Sequence, residues 1–221
     1  MSQTVVITGA NRGIGLSLTK YYLALGCKVY ALCRTSSNEL DSSGAEVVDN
    51  IDMGQDSVIE VLQEKFADIT IDLLINNAGI LRNEVLGDIS FDSLREQFEV
   101  NSLGPIRAVE ALKSSLSSES KIAMITSRMG SIADNTSGGR YGYRMSKAAL
   151  NIASVSIAHD LQAAGVAVAI IHPGLVGTEM IGGYGDITPD QAAERIAQRI
   201  AEVTLESSGG FWHSNGETLP W

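Results

Sequence analysis

The stretch RYGYRMSKAAL, residues 140–150, contains Tyr141, Tyr143 and Lys147. A phenol beside an ammonium group can exchange a proton near neutral pH, because the cation stabilises the phenolate. The free phenol has a pKa near 10. To exchange a proton near neutral pH, its surroundings must therefore stabilise the phenolate relative to the phenol by about 3 to 4 kcal/mol. Residues four apart share one face of a helix, which would place Tyr143 beside Lys147. The stretch therefore indicates proton-transfer chemistry.

A glycine-rich turn, TGANRGIG at residues 8–15, lies between an apolar run and a segment of helical spacing. Its glycines, Gly9, Gly13 and Gly15, let the backbone turn sharply and approach a pyrophosphate, and the following helix N-terminus offers free N–H groups. The spacing differs from the commoner G-x-G-x-x-G, and the turn lacks the lysine of a P-loop. We interpret the turn as a dinucleotide site, with a purely structural turn as the alternative.

The residues after the second apolar run indicate which dinucleotide would bind. The acidic residue typical of NAD sites is missing there, and CRTSS stands in its place. Arg34, together with Arg12 in the glycine turn, can pair with the 2′-phosphate of NADP, which an aspartate would repel. We therefore predict NADP(H) in preference to NAD(H), with two solvated surface arginines as the alternative. After the third run, Asp52 and Met53 are predicted to line an adenine pocket, unless Asp52 caps the next helix.

The elements that must position these residues are six apolar, β-branched runs alternating with segments of helical spacing. The runs are TVVIT (4–8), KVYALC (28–33), AEVVD (45–49), IDLLIN (71–76), KIAMIT (121–126) and VAVAIIH (166–172). Near-continuous apolar strands are buried on both faces, as in a parallel sheet between two layers of helices. The pattern predicts an α/β, three-layer, doubly wound fold whose ligands bind beyond the carboxyl ends of the strands.

The composition narrows the class of partner. The chain has 221 residues, of which 44% are hydrophobic, and we predict one domain spanning residues 1–221. A formal net charge of −10 disfavours nucleic acid and anionic membrane surfaces as partners. The sequence shows neither a signal-peptide pattern nor an apolar run long enough for a membrane span, so we expect a cytoplasmic location.

Cysteine and histidine usage favours neither disulfide nor metal chemistry. Cys27 and Cys33 do not form a closely spaced pair, and we predict free, buried thiols. The three histidines, His159, His172 and His213, lack ligand spacing, so no metal site is predicted and each is assigned to the surface or to packing.

Polar segments follow the remaining strands: NNAG at 76–79, TSRMG at 126–130 and HPGLVGTEM at 172–180. Together with the glycine turn, VNSLGP around Asn101 and the YRMSK segment, they resemble the motifs of the short-chain dehydrogenase/reductase family over essentially the whole chain. YGYRMSKAALN and the ending GETLPW look most like the small carbonyl reductases of the C-factor-like subgroup. The resemblance implies a Rossmann fold and an NADP-dependent oxidoreductase that acts on a small carbonyl or alcohol substrate.

The resemblance implies a set of four catalytic residues: Asn101, Ser127, Tyr143 and Lys147. The family's Y-x-x-x-K motif selects Tyr143 as proton donor and acceptor, which leaves Tyr141 a packing or loop role. Lys147 lowers the pKa of the phenol and binds the nicotinamide ribose. Asn101, in a helix disturbed at Gly104-Pro105, holds a water that links the lysine to solvent.

The assignment of the catalytic serine has an alternative. Ser127 corresponds to the family serine that orients the substrate carbonyl and stabilises the developing alkoxide. It lies farther from Tyr143 than is common in the family, which implies a small insertion around DNTSGGR. Ser131 is therefore the alternative, although the S-x-x-G pattern at 127–130 favours Ser127.

The resemblance also extends the cofactor site. Pro173-Gly174 is expected to turn across the nicotinamide, and Thr178 to bond its carboxamide. The complete predicted cofactor-binding set is Gly9, Asn11, Arg12, Gly13, Ile14, Gly15, Arg34, Asp52, Met53, Asn77, Ala78, Gly79, Tyr143, Lys147, Pro173, Gly174, Val176 and Thr178. The glycine-rich piece at about 179–190 is predicted to be a small, mobile substrate lid, which implies modest aldehydes or ketones as substrates.

Two other functions share this scaffold, and the oligomeric state rests on the resemblance. A signalling protein could bind NADP without significant turnover, and an isomerase or dehydratase would act without net cofactor turnover. Relatives pair through two long helices, predicted at about 91–116 and 142–164, which implies a homodimer or homotetramer. The small residues Ala148, Ala149 and Ser154 would permit close packing there.

Overall fold

Seven parallel strands form the centre of the computed structural model, which describes residues 2–221. The strands are β1 (Thr4–Thr8), β2 (Lys28–Leu32), β3 (Glu46–Val48), β4 (Ile71–Asn76), β5 (Leu116–Ile125), β6 (Ala167–His172) and β7 (Phe211–His213). Their order in the sheet is β3-β2-β1-β4-β5-β6-β7, and the neighbours pair in parallel. The strand order therefore reverses between β1 and β4, where a doubly wound sheet opens a crevice at its carboxyl edge.

Helices cover both faces of this sheet. They are α1 (Gly13–Ala24), α2 (Asn38–Asp41), α3 (Val58–Lys65), α4 (Phe91–Phe98), α5 (Gly104–Leu112), α6 (Tyr141–Leu161) and α7 (Pro189–Glu202). Alternate residues of β1 enter opposite cores: Val5 and Ile7 pack with the α1 and α7 side, and Val6 packs with the α3, α5 and α6 side. The alternation explains the unbroken apolar runs, and the predicted three-layer α/β fold is confirmed.

The helix predicted over 91–116 is interrupted. A π-helical turn, Glu99–Leu103, separates α4 from α5, and α5 ends at Leu112 before a short 3₁₀ turn. Pro105 has no N–H to donate to the preceding turn, and a wider turn relieves this conflict. Gly104 faces the carbonyl oxygen of Met53, which would lie 3.0 Å from a Cβ at this position.

Two other expectations differ from the structure. β7 was not predicted, because Phe211–His213 is only three residues long and lacks the apolar run of the other strands. Ser154, proposed for packing between chains, is fully buried within this chain, where its hydroxyl donates to the Leu150 carbonyl at 2.6 Å. Its small side chain therefore serves packing inside the fold.

Cys33 is buried and Cys27 is half-buried, and both are free thiols. None of the helices between residues 2 and 221 combines the length and hydropathy that a membrane span requires. Within the same described range, no three or more His, Cys, Asp or Glu side chains are grouped as metal ligands.

Candidate active site

The glycine-rich turn connects β1 to α1 at the crevice. Gly9 has a φ of +67°, and a Cβ there would lie 2.8 Å from the Cα of Ala78. A Cβ at Gly15 would collide with the carbonyl oxygen of Gly9, so the turn closes only around glycine at both positions. The N-terminus of α1 has no side-chain cap and no acidic residue in its first turn. Its N–H groups are therefore available to an anion.

Hydrogen bonds tie this turn to the end of β4. The hydroxyl of Thr8 accepts from the backbone N–H groups of Asn77 at 3.0 Å and Ala78 at 3.1 Å. The side-chain amide of Asn77 donates to the carbonyls of Thr8 and Gly9, both at 3.1 Å. Asn11 donates to the carbonyl of Thr35, which joins the turn to the loop after β2. The hydrogen bonds of Asn77 and Asn11 thus hold the turn in its conformation.

A cleft of about 520 Å³ opens along the carboxyl edge of the sheet. The predicted cofactor residues that line it are Gly9, Asn11, Arg12, Gly13, Ile14, Arg34, Asp52, Met53, Asn77, Ala78, Gly79, Tyr143, Lys147, Pro173 and Thr178. Gly15, Gly174 and Val176 lie outside this lining. Val176 is buried and pairs with Ile187, and the α-carbon of Gly174 faces the δ-methyl group of Ile187 and the ring of His213. The sequence missed Gly177, which lies in the lining beside Thr178.

Asp52 and Met53 lie at the cleft after β3. The Oδ1 atom of Asp52 accepts from the N–H of Gly54 at 2.9 Å, whereas α3 begins only at Val58. Asp52 therefore caps a tight turn, and the helix-capping alternative is wrong. Met53 is buried and contributes an apolar surface.

The two predicted phosphate-binding arginines have different partners. Arg34 is exposed and, among residues 2–221, forms no ion pair with a carboxylate. Arg12 pairs with Glu179 of the predicted lid at 2.6 Å, and both side chains are mostly exposed. An exposed ion pair contributes at most about 1 kcal/mol, so Arg12 can exchange Glu179 for another anion at little cost.

Tyr143 and Lys147 lie one turn apart on α6, with the Lys147 ammonium 5.8 Å from the centre of the Tyr143 ring. The ammonium group is buried and donates to the carbonyl of Ile125 at 2.9 Å. Burial lowers the pKa of Lys147 to about 8. Burial also raises the pKa of Tyr143, although the Ser127 hydroxyl and the Arg140 charge oppose the rise. The lowered phenol pKa expected from the sequence is therefore not found, and Tyr143 is protonated at neutral pH.

The two candidate serines lie in different surroundings. Ser127 begins the 3₁₀ turn Arg128–Gly130 at the end of β5, where its oxygen accepts from the Met129 N–H at 3.1 Å. Its hydroxyl lies close enough to Tyr143 to affect the pKa of the phenol. The hydroxyl of Ser131 instead accepts from the N–H of Asp134 at 3.1 Å and shapes the following loop. Only Ser127 of this pair faces the phenol.

Asn101 is fully buried in the π-helical turn. Its side-chain amide spans Ile80: Oδ1 accepts from the Ile80 N–H and Nδ2 donates to the Ile80 carbonyl, both at 2.8 Å. Nδ2 also donates to the Ser146 hydroxyl at 3.0 Å. The side chain thus joins the loop after β4 to α6. Gly79 separates Asn101 from Lys147, since a Cβ there would lie 3.2 Å from Asn101 Oδ1 and 3.7 Å from Lys147 Nζ.

Glu84 is a buried carboxylate that the sequence analysis missed. One oxygen accepts from the side-chain amide of Gln97 at 2.6 Å and from the hydroxyl of Ser93 at 2.8 Å. The other accepts from the N–H of Gly142 at 3.2 Å, in the first turn of α6. A carboxylate at this end of the helix stabilises the turn that carries Tyr143. The one sequence feature that points to close packing here is Gly142, because a Cβ at this position would collide with the Gln97 amide that binds Glu84.

His172 and His213, distant in sequence, meet at the ends of β6 and β7. Their rings are 4.9 Å apart and perpendicular. His172 is buried, and burial together with the neighbouring His213 lowers its pKa to about 3. The two imidazole rings are therefore uncharged and pack beneath the Pro173-Gly174 turn. A Cβ at Gly174 would lie 3.5 Å from His213 Cε1.

Comparison with known proteins assigns this arrangement to a family. The short chain dehydrogenase family matches residues 3–187. The chain is 37% identical to 1-hydroxy-2-glutathionyl-2-methyl-3-butene dehydrogenase of Rhodococcus sp. (strain AD45), over 99% of each protein. It is 39% identical to C-signal of Myxococcus xanthus over 68% of this chain and 93% of that protein.

A solved structure agrees with these relatives. The NADPH-bound carbonyl reductase from chicken fatty liver superposes with a TM-score of 0.87 at 28% identity, covering 100% of this chain and 99% of that one. The resemblance inferred from the sequence motifs is thus confirmed. With its parallel sheet, its glycine turn and its tyrosine and lysine on one helix face, the chain belongs to the short-chain dehydrogenase family of oxidoreductases.

Proposed function

We propose that the protein is an NADPH-dependent carbonyl reductase that acts on small aldehydes or ketones and can run in reverse on the alcohols. The main support is the position of Tyr143 and Lys147 in the lining of the cleft, with Ser127 beside the phenol and just outside that lining. The carbonyl reductase from chicken fatty liver, which binds NADPH, has the same overall fold. The lid residues Glu179 and Met180 border the cleft and limit the size of the substrate.

The chain offers suitable groups for NADPH. The N-terminus of α1 and the close backbone of Gly9 suit the pyrophosphate, and exposed Arg34 suits the 2′-phosphate. Lys147 and Thr178 also line the cleft, with Thr178 beside Gly13 of the turn, and they would hold the ribose and the carboxamide. When bound there, NADPH supplies the hydride that reduces the carbonyl carbon.

The residues of the chain handle the proton. Tyr143 is protonated at neutral pH, as any phenol with a pKa of 10 or above is, and it donates its proton to the carbonyl oxygen. Ser127 accepts from the Met129 N–H and faces the phenol, so its own hydrogen can be donated either to Tyr143 or to a carbonyl oxygen bound beside it. The Lys147 cation stabilises the phenolate that forms when Tyr143 has given up its proton. Asn101 acts as a positioning residue through its bonds to Ile80 and Ser146.

A panel of small aldehydes and ketones, assayed with NADPH and NADH in parallel, tests this proposal. We expect turnover of at least some carbonyls, with a higher kcat/KM for NADPH than for NADH. The signalling alternative predicts NADPH binding without turnover of any carbonyl. An isomerase or dehydratase predicts product formation with no net change in cofactor absorbance. Either result contradicts the proposed reduction.

Replacing Arg34 by glutamine is expected to weaken the use of NADPH selectively. Loss of a charge-assisted hydrogen bond costs about 1.5 to 3 kcal/mol, so KM for NADPH should rise by about 10- to 100-fold. KM for NADH, which lacks the 2′-phosphate, should change by less than about twofold. Steady-state kinetics with both cofactors measures this, and Arg95→Gln, which removes an exposed guanidinium on α4, is the control. An equal loss with both cofactors would contradict the assignment of Arg34.

A further inference from the structure

A second cavity lies beside the proposed reaction centre. It is a groove of about 740 Å³ between the loop after β4 and the loop that joins β5 to α6. Three arginines line it: Arg128, Arg140 and Arg144. We call it the arginine groove. The proposed proton chemistry assigns no role to Arg128 or Arg144, and Arg140 enters it only through its charge near Tyr143.

The arginines of this groove are not equally neutralised. Arg128 pairs with Asp134 at 2.7 Å. Arg140 donates to the side-chain oxygen of Asn83 at 3.0 Å, and Arg144 donates to the hydroxyl of Ser137 at 2.9 Å. Arg144 also donates to the backbone carbonyls of residues 138 and 139. These acceptors are neutral, so within the described part of the chain Arg140 and Arg144 keep their full charge.

Glu84 also lines the groove, but its carboxylate does not neutralise the arginines. Its oxygens are occupied by Gln97, Ser93 and the N–H of Gly142. It forms no ion pair with an arginine in the range 2–221. In a protein with a formal net charge of −10, two uncompensated guanidinium groups in one concave site favour an anionic ligand.

The groove adjoins the groups that handle the proton. Arg140 precedes the first turn of α6 and lies close enough to Tyr143 for its charge to act on the phenol. On the opposite wall, Met129 lies two residues after Ser127, and its sulfur is 3.8 Å from an Nη atom of Arg140. Within the described residues, the groove and the cleft have no lining residue in common, and Met129 and Arg140 lie between them. A molecule whose carbonyl lies between Ser127 and Tyr143 would enter the groove past these two side chains.

The backbone at Arg140 supports a role for its charge. Its φ is +51°, in the left-handed region that favours glycine or asparagine. Backbone geometry alone therefore does not account for an arginine there. A guanidinium binds a carboxylate through two parallel hydrogen bonds, and neighbouring arginines strengthen that preference.

We propose that the arginine groove binds a carboxylate on the substrate, and that Arg140 and Arg144 thereby select carbonyl compounds that carry an acidic group. This inference rests on the proposed carbonyl reductase function and names its substrate class. Arg128, paired with Asp134, has a smaller part in this selection.

The test compares para-carboxybenzaldehyde with its methyl ester, which presents the same carbonyl without the charge. Both are assayed with NADPH on the wild type, Arg144→Gln, Arg140→Asn and the control Arg95→Gln. Asparagine tolerates the left-handed backbone at position 140, so that variant removes the charge without adding strain. Isothermal titration of the same two compounds into the wild type and Arg144→Gln provides a binding measurement independent of turnover.

We expect the wild type and Arg95→Gln to favour the carboxylate by about 10-fold or more in kcat/KM. Arg144→Gln should lose most of that preference while retaining kcat/KM for the ester within about twofold. Arg140→Asn should also lose the preference, which is read as the ratio of the two compounds because the Arg140 charge acts on Tyr143 as well. Equal use of both compounds by the wild type, or an equal loss on both in the variants, would overturn the arginine groove and leave the carbonyl reductase proposal intact. Absence of turnover of both compounds and of the carbonyl panel would overturn the proposed function and the inference that rests on it.

Discussion

Replacing Tyr143 by phenylalanine is expected to lower kcat for NADPH-dependent carbonyl reduction by about 10²- to 10⁴-fold, the usual contribution of a positioned general acid. The Tyr143 phenol shares a helix face with Lys147 and lies beside Ser127. Phenylalanine keeps the ring and removes only the hydroxyl. Initial rates with saturating NADPH and a carbonyl from the panel measure the effect, and fluorescence titration measures NADPH binding separately.

Tyr141→Phe is the matched control for this substitution. Tyr141 is the first residue of α6, and the change removes an identical hydroxyl two residues away. We expect this control to retain kcat within about twofold, since the half-buried Tyr141 does not line the cleft. Wild-type rates in Tyr143→Phe, or equal losses in both variants, would contradict the assignment of Tyr143 as proton donor.

Lys147→Met is expected to cause the second large loss. An ammonium group about 6 Å from the phenol, in surroundings with an effective dielectric constant of about 20, stabilises the phenolate by about 3 kcal/mol. Removal of that charge should therefore lower kcat/KM by about 100-fold or more. Lys121→Met is the control. Lys121 is also partly buried, and its ammonium group donates to backbone carbonyls at the end of α7, outside the cleft. Retained activity in Lys147→Met would contradict the proposed role.

The depressed pKa of Lys147 adds a pH signature. Wild-type reduction should slow as the pH rises through about 8, because Lys147 then loses the charge that stabilises the phenolate. Stability changes in the opposite sense. Between about 8 and the unfolded value of 10.5, the unfolded chain binds a proton at Lys147 that the folded chain does not, so the free energy of unfolding rises with pH. Urea unfolding across this range should show that the free energy of unfolding of the wild type rises relative to that of Lys147→Met, which keeps the other titrating groups.

Most of the sheet could be predicted from sequence because its long strands contain apolar runs with both faces buried, although β5 begins at Leu116, in exposed polar residues ahead of the predicted run at 121–126. β1 and β4 follow this rule, and the polar residues after them reach the crevice as expected. β7 could not be recognised, since Phe211–His213 is stabilised by its position beside β6 and not by its own pattern. The π-helical turn was also hidden, because Pro105 indicates a disturbed helix without specifying which kind.

The site was predictable only where chemistry follows from local spacing. Tyr143 and Lys147 are four residues apart, so a helix alone brings them together. Glu84 and Gly142 meet through tertiary packing, as do Arg12 and Glu179, which are 167 residues apart. The direction of the Tyr143 pKa was missed for a related reason: the nearby charges were visible in the sequence, whereas the burial that outweighs them was not.

The glycines packed around the cleft and the exposed loop at residues 135–138 differ in how much sequence change they tolerate, and this difference affects how the protein can evolve. At Gly9, Gly79 and Gly130, an added methyl group would press on neighbouring backbone or on the catalytic side chains, so drift at these positions is heavily constrained. Residues 135–138 are exposed, and a Cβ at Gly138 would meet no atom within 4 Å. On the function proposed above, mutations in that stretch are expected to alter which molecules bind in the arginine groove and to leave the proposed proton donor and dinucleotide site intact. Substrate range should therefore change more readily in evolution than the chemistry.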